Sequence, residues 1–350
     1  MFMKAIATLT LTMCLLTGLS TSAALAETAQ APAGAHVSVE QVVVHSPALE
    51  GNLEGETPDR QVIVYLPPDY RQNPDKRYPV IYILHGYNMT APGFAGLLQA
   101  QSGLDGAYAQ GLPGVIVVLP DTQTLHGGSM YSNSVTIGDW EGFITHDLVA
   151  YIDSHYRTLT NRDSRGLAGH SMGGYGSTRL GMKYPDVYGA LYIMSPCCLS
   201  VRGAPPPQTA AAVEAVQSRD GLAALDFLGH ATFAVAAAWS PDPLKSPFYA
   251  DLPTQKGQVD RTVLDRWAAN APLAMLDQYM FNLKRYKAIA IDVGDRDDFR
   301  FDAQILHQRM QDSGVANRFD IYPGDHASGV ADRFQHNLLP FFAQALTFTK

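Results

Sequence analysis

The chain has 350 residues, 46% of them hydrophobic and 17% charged, with a formal net charge of −8 at pH 7. That apolar content excludes a disordered chain and is enough to bury a large core, so one elaborated domain is expected. The acidic balance excludes partners that need clustered Lys and Arg, namely nucleic acid and anionic membrane surfaces.

Met1–Lys4 is a short basic start, Ala5–Leu19 is apolar, and Ala24-Leu25-Ala26 has the small-x-small pattern of a cleavage site. Together they predict a signal peptide over residues 1–26, and so a secreted or periplasmic protein. The apolar run is shorter than the ~20 residues a membrane span needs. Met13 is too large for the residue before a lipidated Cys14. No later stretch is long and apolar enough to span a membrane. Residues 27–36 are expected as a flexible leader to a domain over 37–350. Beyond the leader only Cys197 and Cys198 remain, and they are adjacent. They cannot form a disulfide scaffold, and a vicinal bridge would close a strained ring, so two thiols without a catalytic role are expected.

Strand patterns follow at Val37–His45 and Gln61–Leu66. Continuous apolar runs at Pro79–Leu84 and Val115–Leu119 suit interior strands of a parallel sheet, buried on both faces. Ser164–Ala168, Ala190–Met194, Ala288–Val293 and Arg318–Tyr322 complete the set. Helical patterns fall between them at Gly142–Tyr156, Met172–Tyr184, Asp302–Asp312 and Ala331–Leu346. Strands alternating with helices predict an α/β fold with a mostly parallel sheet. The alternation breaks at 199–287, where helical patterns cover Ala223–Trp239 and Val259–Tyr286. This segment is expected to be a helical cap inserted into the sheet topology.

Gly169-His170-Ser171-Met172-Gly173 fits G-x-S-x-G, follows an apolar strand and opens a helix. In that context it predicts a nucleophile elbow, with Ser171 raised above the carboxyl edge of the sheet. The helix N-terminus offers N–H groups to a developing oxyanion. His85-Gly86 closes the strand Pro79–Leu84, as the segment before the second oxyanion donor does in such folds. The backbone N–H groups of Tyr87 and Met172 are therefore the expected pair, and the His85 side chain is given only a structural role. The base should come last in chain order, and His326 follows the final strand. His36, His45, His126, His146, His155, His230, His307 and His336 are read as surface or core residues, and His170, inside the elbow, is expected to point away from Ser171. The acid should follow the strand before, where Asp295, Asp297 and Asp298 share one loop. Generic spacing does not choose among them. Asp139-Trp140-Glu141 suits a helix N-cap with acidic residues in the first turn, or else places Trp140 in the substrate pocket. Trp239, Phe248, Tyr249 and Trp267 form either an aromatic pocket or the cap's own core. No metal-ligand cluster and no cofactor site is expected.

Six segments together carry a resemblance: Tyr65-Leu66-Pro67-Pro68-Asp69-Tyr70, Tyr82-Ile83-Leu84-His85-Gly86, Asp139-Trp140-Glu141, Gly169-His170-Ser171-Met172-Gly173-Gly174, Gly294-Asp295-Arg296-Asp297 and Asp325-His326. The chain resembles the esterase D family of α/β-hydrolases, whose members include feruloyl and acetyl-xylan esterases, S-formylglutathione hydrolases, enterochelin-type esterases and mycolyltransferases. The resemblance implies an α/β-hydrolase fold and a carboxylic ester hydrolase acting on a small-molecule or carbohydrate ester. It also implies that the acid is the third residue after Gly294, which is Asp297. The catalytic set is then Ser171, His326 and Asp297. The alternatives are a mycolyltransferase-type acyltransferase, which uses the same residues but excludes water from the second step, and an S-formylglutathione hydrolase-like thioesterase, which the signal peptide disfavours. A non-catalytic binding protein on the same scaffold fits poorly with an intact set of three. The cap is longer than in compact members, which leaves substrate preference open.

Overall fold

The computed structural model describes residues 36–348. The expected signal peptide and all but the last residue of the expected leader lie outside the described residues. That last residue, His36, is held by Asp105, with the ring Nδ1 2.8 Å from the carboxylate.

Eight strands make one sheet: β1 (Ser38–His45), β2 (Asp59–Leu66), β3 (Val80–Leu84), β4 (Ile116–Pro120), β5 (Arg165–His170), β6 (Ala190–Met194), β7 (Ala288–Gly294) and β8 (Arg318–Tyr322). Their spatial order is β1-β2-β4-β3-β5-β6-β7-β8. β2 runs antiparallel to β1 and β4, and every pairing from β4 to β8 is parallel. This is the α/β-hydrolase arrangement. β3 explains its own central place: Val80-Ile81-Tyr82-Ile83-Leu84 is apolar on both faces and buried throughout, as a strand covered by helices on each side requires.

The parallel strands all deliver their carboxyl ends to one edge of the sheet. Leu84 of β3 pairs with Gly169 of β5, and Gly294 of β7 pairs with Tyr322 of β8. The loops after β3, β5, β7 and β8 therefore open side by side, each carrying one of the residues picked out from the sequence.

Helices α1 (Ala91–Leu97) and α2 (Ala100–Ala109) link β3 to β4. The sequence pattern did not mark them, because Gly93, Gly96, Gly103 and Gly106 lower helix propensity. Packing supplies the reason for two of these glycines. A Cβ at Gly103 would meet the Phe334 ring at 3.1 Å, and one at Gly106 would meet Gln335 Nε2 at 2.5 Å. The helix at Met172–Lys183 follows the elbow. The helix before it, opening at Trp140, is capped by Asp139, whose Oδ1 accepts the Gly142 N–H at 2.9 Å. Its buried Glu141 accepts from Arg179 Nε at 2.9 Å and from the Tyr184 hydroxyl at 2.8 Å, tying the two helices together.

Between β6 and β7 the chain runs through helices Pro207–Ala215, Phe227–Trp239, Arg261–Asn270 and Pro272–Leu283, with one ribbon of two-residue strands. The single pattern read over Val259–Tyr286 divides at Ala271, whose extended backbone precedes Pro272. A proline disfavours the helical conformation in the residue before it, and the ring then suits the first turn of the next helix. Pro272–Leu283 packs directly on the helix after the elbow. No helix among the described residues is long and apolar enough to cross a membrane.

Candidate active site

Ser171 sits at φ 59°, ψ −116°, outside the favoured regions for a residue with a side chain. Such a conformation costs about 1–3 kcal/mol and needs the surroundings to enforce it. They do. The Ser171 N–H donates to Met194 O at 3.1 Å, and its carbonyl accepts from the Tyr175 and Cys197 N–H groups at 3.0 and 3.2 Å. Glycines make the sharp turn possible. A Cβ at Gly169 would collide with the Gly173 carbonyl, and one at Gly173 with the Leu84 carbonyl.

The three residues of the expected catalytic set, 155 and 29 positions apart in sequence, lie in one line. His326 Nε2 is 2.8 Å from Ser171 Oγ, and His326 Nδ1 is 2.8 Å from Asp297 Oδ2. The Asp297 side chain is wholly buried, and its Oδ1 accepts the Phe299 N–H at 2.8 Å. Burial pushes this carboxyl up, but its hydrogen bonds with His326 and the Phe299 N–H more than offset that and hold it below the ordinary carboxylate value. The other two aspartates face elsewhere. Asp295 Oδ1 accepts the Gly324 N–H at 2.9 Å and so braces the loop that bears His326. Asp298 is exposed. Among the described residues no three His, Cys, Asp or Glu side chains are grouped to hold a metal ion.

Sequence reasoning gave His170 no part in the site, yet it touches His326. Its Nε2–H donates to the His326 carbonyl at 2.8 Å, and the two rings lie 5.0 Å apart. Phe94 stacks against His170 and Phe299 stands edge-on to His326. The only sequence hint was its place inside the elbow. Burial lowers the His170 pKa to about 4, and the neighbouring His326 adds to the effect. The consequence for stability has a definite sign. From about pH 6.5 down to about pH 4 the unfolded chain binds a proton at His170 and the folded chain does not. Folding stability therefore falls as the pH drops through that window, by on the order of 3 kcal/mol for the whole shift. His170→Gln keeps an N–H donor and removes the titration. Urea midpoints measured between pH 4 and 7.5 should fall less on the acid side for the variant than for the parent. Parallel curves would rule out this account of His170.

On the other side of Ser171 lies the Gly86-Tyr87 segment. A Cβ at Gly86 would stand 3.3 Å from Ser171 Cβ. Met172 opens the helix, so its N–H has no acceptor within it. Met172 and Tyr87 line one wall, since a Cβ at Gly128 would meet Met172 Sδ at 2.5 Å and Tyr87 Cδ2 at 2.9 Å. His85 is buried beneath, its Nε2 accepting the Thr122 N–H at 2.8 Å and its Nδ1–H facing Gly86 O at 2.8 Å. That is a structural placement. Trp140 is completely buried, donates to Ile137 O at 2.9 Å and lies under the Arg60 guanidinium, so it does not line a pocket. Trp239 and Trp267 are buried too, their indole N–H groups donating to Ser132 and Ser240 hydroxyls. Phe248 packs on Phe233. Phe227, which the sequence did not mark, is 61% exposed and meets the Tyr87 ring edge-on at 5.2 Å. With Tyr87, Asn88, His126 and His230 it lines a cavity of about 280 Å³. Cys197 and Cys198 are free thiols. Cys198 and burial together hold the Cys197 thiol well above its ordinary pKa, which disfavours the thiolate.

Comparison with known proteins adds the following. A family model described as putative esterase matches residues 57–344. An esterase of Mycobacterium tuberculosis is 34% identical over 131 residues, covering 35% of this chain and 26% of the relative. The S-formylglutathione hydrolase of Paracoccus denitrificans is 25% identical over 151 residues, covering 38% of this chain and 50% of the relative. The matches thus span about a quarter and about half of those relatives. The structure of a ferulic acid esterase superposes with a TM-score of 0.64 at 22% identity, covering 89% of this chain and 99% of the other, which is a likeness of fold.

Proposed function

The chain belongs to the putative esterase family, and from that premise we propose that it is a secreted serine esterase that cleaves carboxylic esters through an acyl-enzyme. The observation that carries this is the unbroken line of two 2.8 Å hydrogen bonds from Ser171 through His326 to Asp297. Ser171 Oγ attacks the ester carbonyl while His326 Nε2 takes its proton. Asp297 holds Nδ1–H and stabilises the imidazolium that forms. The N–H groups of Tyr87 and Met172 receive the oxyanion. His326 then protonates the departing alcohol, and on the return step draws a proton from the water that attacks the acyl-enzyme. Asp295 steadies the His326 loop and has no part in the proton relay. The substrate is a small-molecule or carbohydrate ester, in keeping with the ferulic acid esterase likeness. Secretion rests on the pattern of residues 1–26.

The test is a panel of p-nitrophenyl esters of increasing acyl length, with feruloyl and acetylated sugars and a glutathione thioester. Each is run with and without an added sugar as acyl acceptor. Hydrolysis of oxygen esters that the sugar does not divert is expected. Acyl transfer to the sugar in preference to water would replace hydrolase by acyltransferase. Turnover confined to the glutathione thioester would replace it by thioesterase.

A further inference from the structure

Beside the Tyr87 segment lies a buried pair that the reaction does not use. Glu54 and His126, 72 positions apart, meet with Oε1 and Nε2 at 2.7 Å, and both side chains are wholly buried. An acid and an imidazole without water are costly unless the contact has a purpose or strong compensation. Compensation is partial: Glu54 Oε2 and His126 Nδ1 have no hydrogen-bond partner. A bare Nδ1 is tolerable as a lone pair but costly as a buried N–H. An Nε2–H directed at Glu54 Oε1 is the tautomer that leaves no buried ring N–H without an acceptor.

The connections of the pair run in three directions. Glu54 is fixed on the first loop of the domain, its N–H donating to Thr136 O at 2.9 Å and its carbonyl accepting from Arg219 at 2.7 Å. The imidazole is stacked on Phe233 at 5.2 Å and touched by Phe248, both from the segment between β6 and β7. The backbone of His126 belongs to the Thr124–Gly128 turn, and that turn holds the Tyr87 segment twice. The Tyr87 hydroxyl donates to His126 O at 2.7 Å, and the Asn88 N–H donates to Gly127 O at 2.8 Å.

We propose that the buried Glu54–His126 pair is a positioning device for the oxyanion side of the site: it anchors the Thr124–Gly128 turn, which through the Tyr87 hydroxyl and Asn88 N–H fixes where the Tyr87 N–H points. This rests on the esterase reading above. Both side chains are wholly buried and act through the turn. Their contribution is the placement of a donor whose value depends on sub-ångström geometry. The ring stack on Phe233 makes the same anchor sensitive to the helix Phe227–Trp239.

Three variants test it: Glu54→Leu and His126→Phe, each removing one side of the pair with similar volume, and Tyr87→Phe, which deletes only the hydroxyl link. Each is assayed on a p-nitrophenyl ester below its melting temperature, and each is titrated with a trifluoromethyl ketone, whose adduct on Ser171 carries an oxyanion. The expected result is a loss in kcat of about 10- to 100-fold, KM within about twofold of the parent, and an equal loss in ketone affinity. Fluorophosphonate labelling of Ser171 should persist. If Glu54→Leu and His126→Phe lower the melting temperature but leave kcat and ketone affinity within about twofold, the pair is only structural and the proposal falls. If either fails to fold, Tyr87→Phe decides: the proposal requires both the hydroxyl link and the Asn88 link, so unchanged kcat and ketone affinity on losing the hydroxyl overturn it. A parent enzyme that neither labels at Ser171 nor turns over would instead defeat the esterase reading, and this inference with it.

Discussion

Asp297→Asn is expected to lower kcat by about 10⁴-fold, the scale of the same change in other Ser-His-Asp enzymes, with the melting temperature little changed. The local hydrogen bonds give the reason. Asp297 Oδ1 accepts the Phe299 N–H at 2.8 Å, and Oδ2 faces His326 Nδ1 at 2.8 Å. In the asparagine variant the carbonyl oxygen must stay toward the Phe299 N–H, since an amide NH2 there would set donor against donor. The NH2 then faces Nδ1 and can only donate to it. The imidazole proton is forced onto Nε2, where it points at Ser171 Oγ and cannot be exchanged for the serine's own. Asp295→Asn should cost far less, because an amide oxygen can still accept the Gly324 N–H. Asp298→Asn should cost least, its side chain being exposed. Michaelis profiles of the three variants and their thermal melts give the comparison. If Asp298→Asn, and not Asp297→Asn, abolishes turnover with both proteins folded, the acid has been misassigned.

Ser171→Ala should lose on the order of 10³-fold or more in kcat. The fold should survive, since alanine is no bulkier than serine at φ 59° and the anchoring contacts of this turn are backbone hydrogen bonds to Met194, Tyr175 and Cys197. A fluorophosphonate should label the parent at Ser171 and leave the variant unmodified, as peptide mapping would show. The double variant Ser171→Ala, Asp297→Asn should be no slower than Ser171→Ala alone, because the residues act as one unit and the unit is already broken. A label found at another residue of active protein, or losses that simply multiply in the double variant, would contradict the mechanism.

Much of this was legible in the sequence, for a local reason. A strand buried on both faces must be apolar at every position, so β3 and β4 show as uninterrupted runs. A turn in which backbone meets backbone must carry glycine, so Gly169 and Gly173 frame Ser171. The order of elements then places a histidine after the last strand. These are constraints between near neighbours in the chain, and a chain displays them as pattern.

What the tertiary structure decided lay beyond that range. The sequence pattern alone left three aspartates open, and the resemblance pointed to Asp297. The loop's hydrogen bonds to Phe299 and Gly324 turn Asp297 to the imidazole and Asp295 away from it. Helix α2 was hidden because Gly103 and Gly106 weaken local propensity for the sake of close approach to Phe334 and Gln335, more than two hundred residues on. Trp140 was open between pocket and core, and only the neighbours it meets in space bury it. Glu54 and His126 carry no motif at all, since a pair 72 residues apart leaves no periodic trace. Where a side chain in an irregular loop points is set by partners brought to it by folding, and those partners are not its neighbours in the chain.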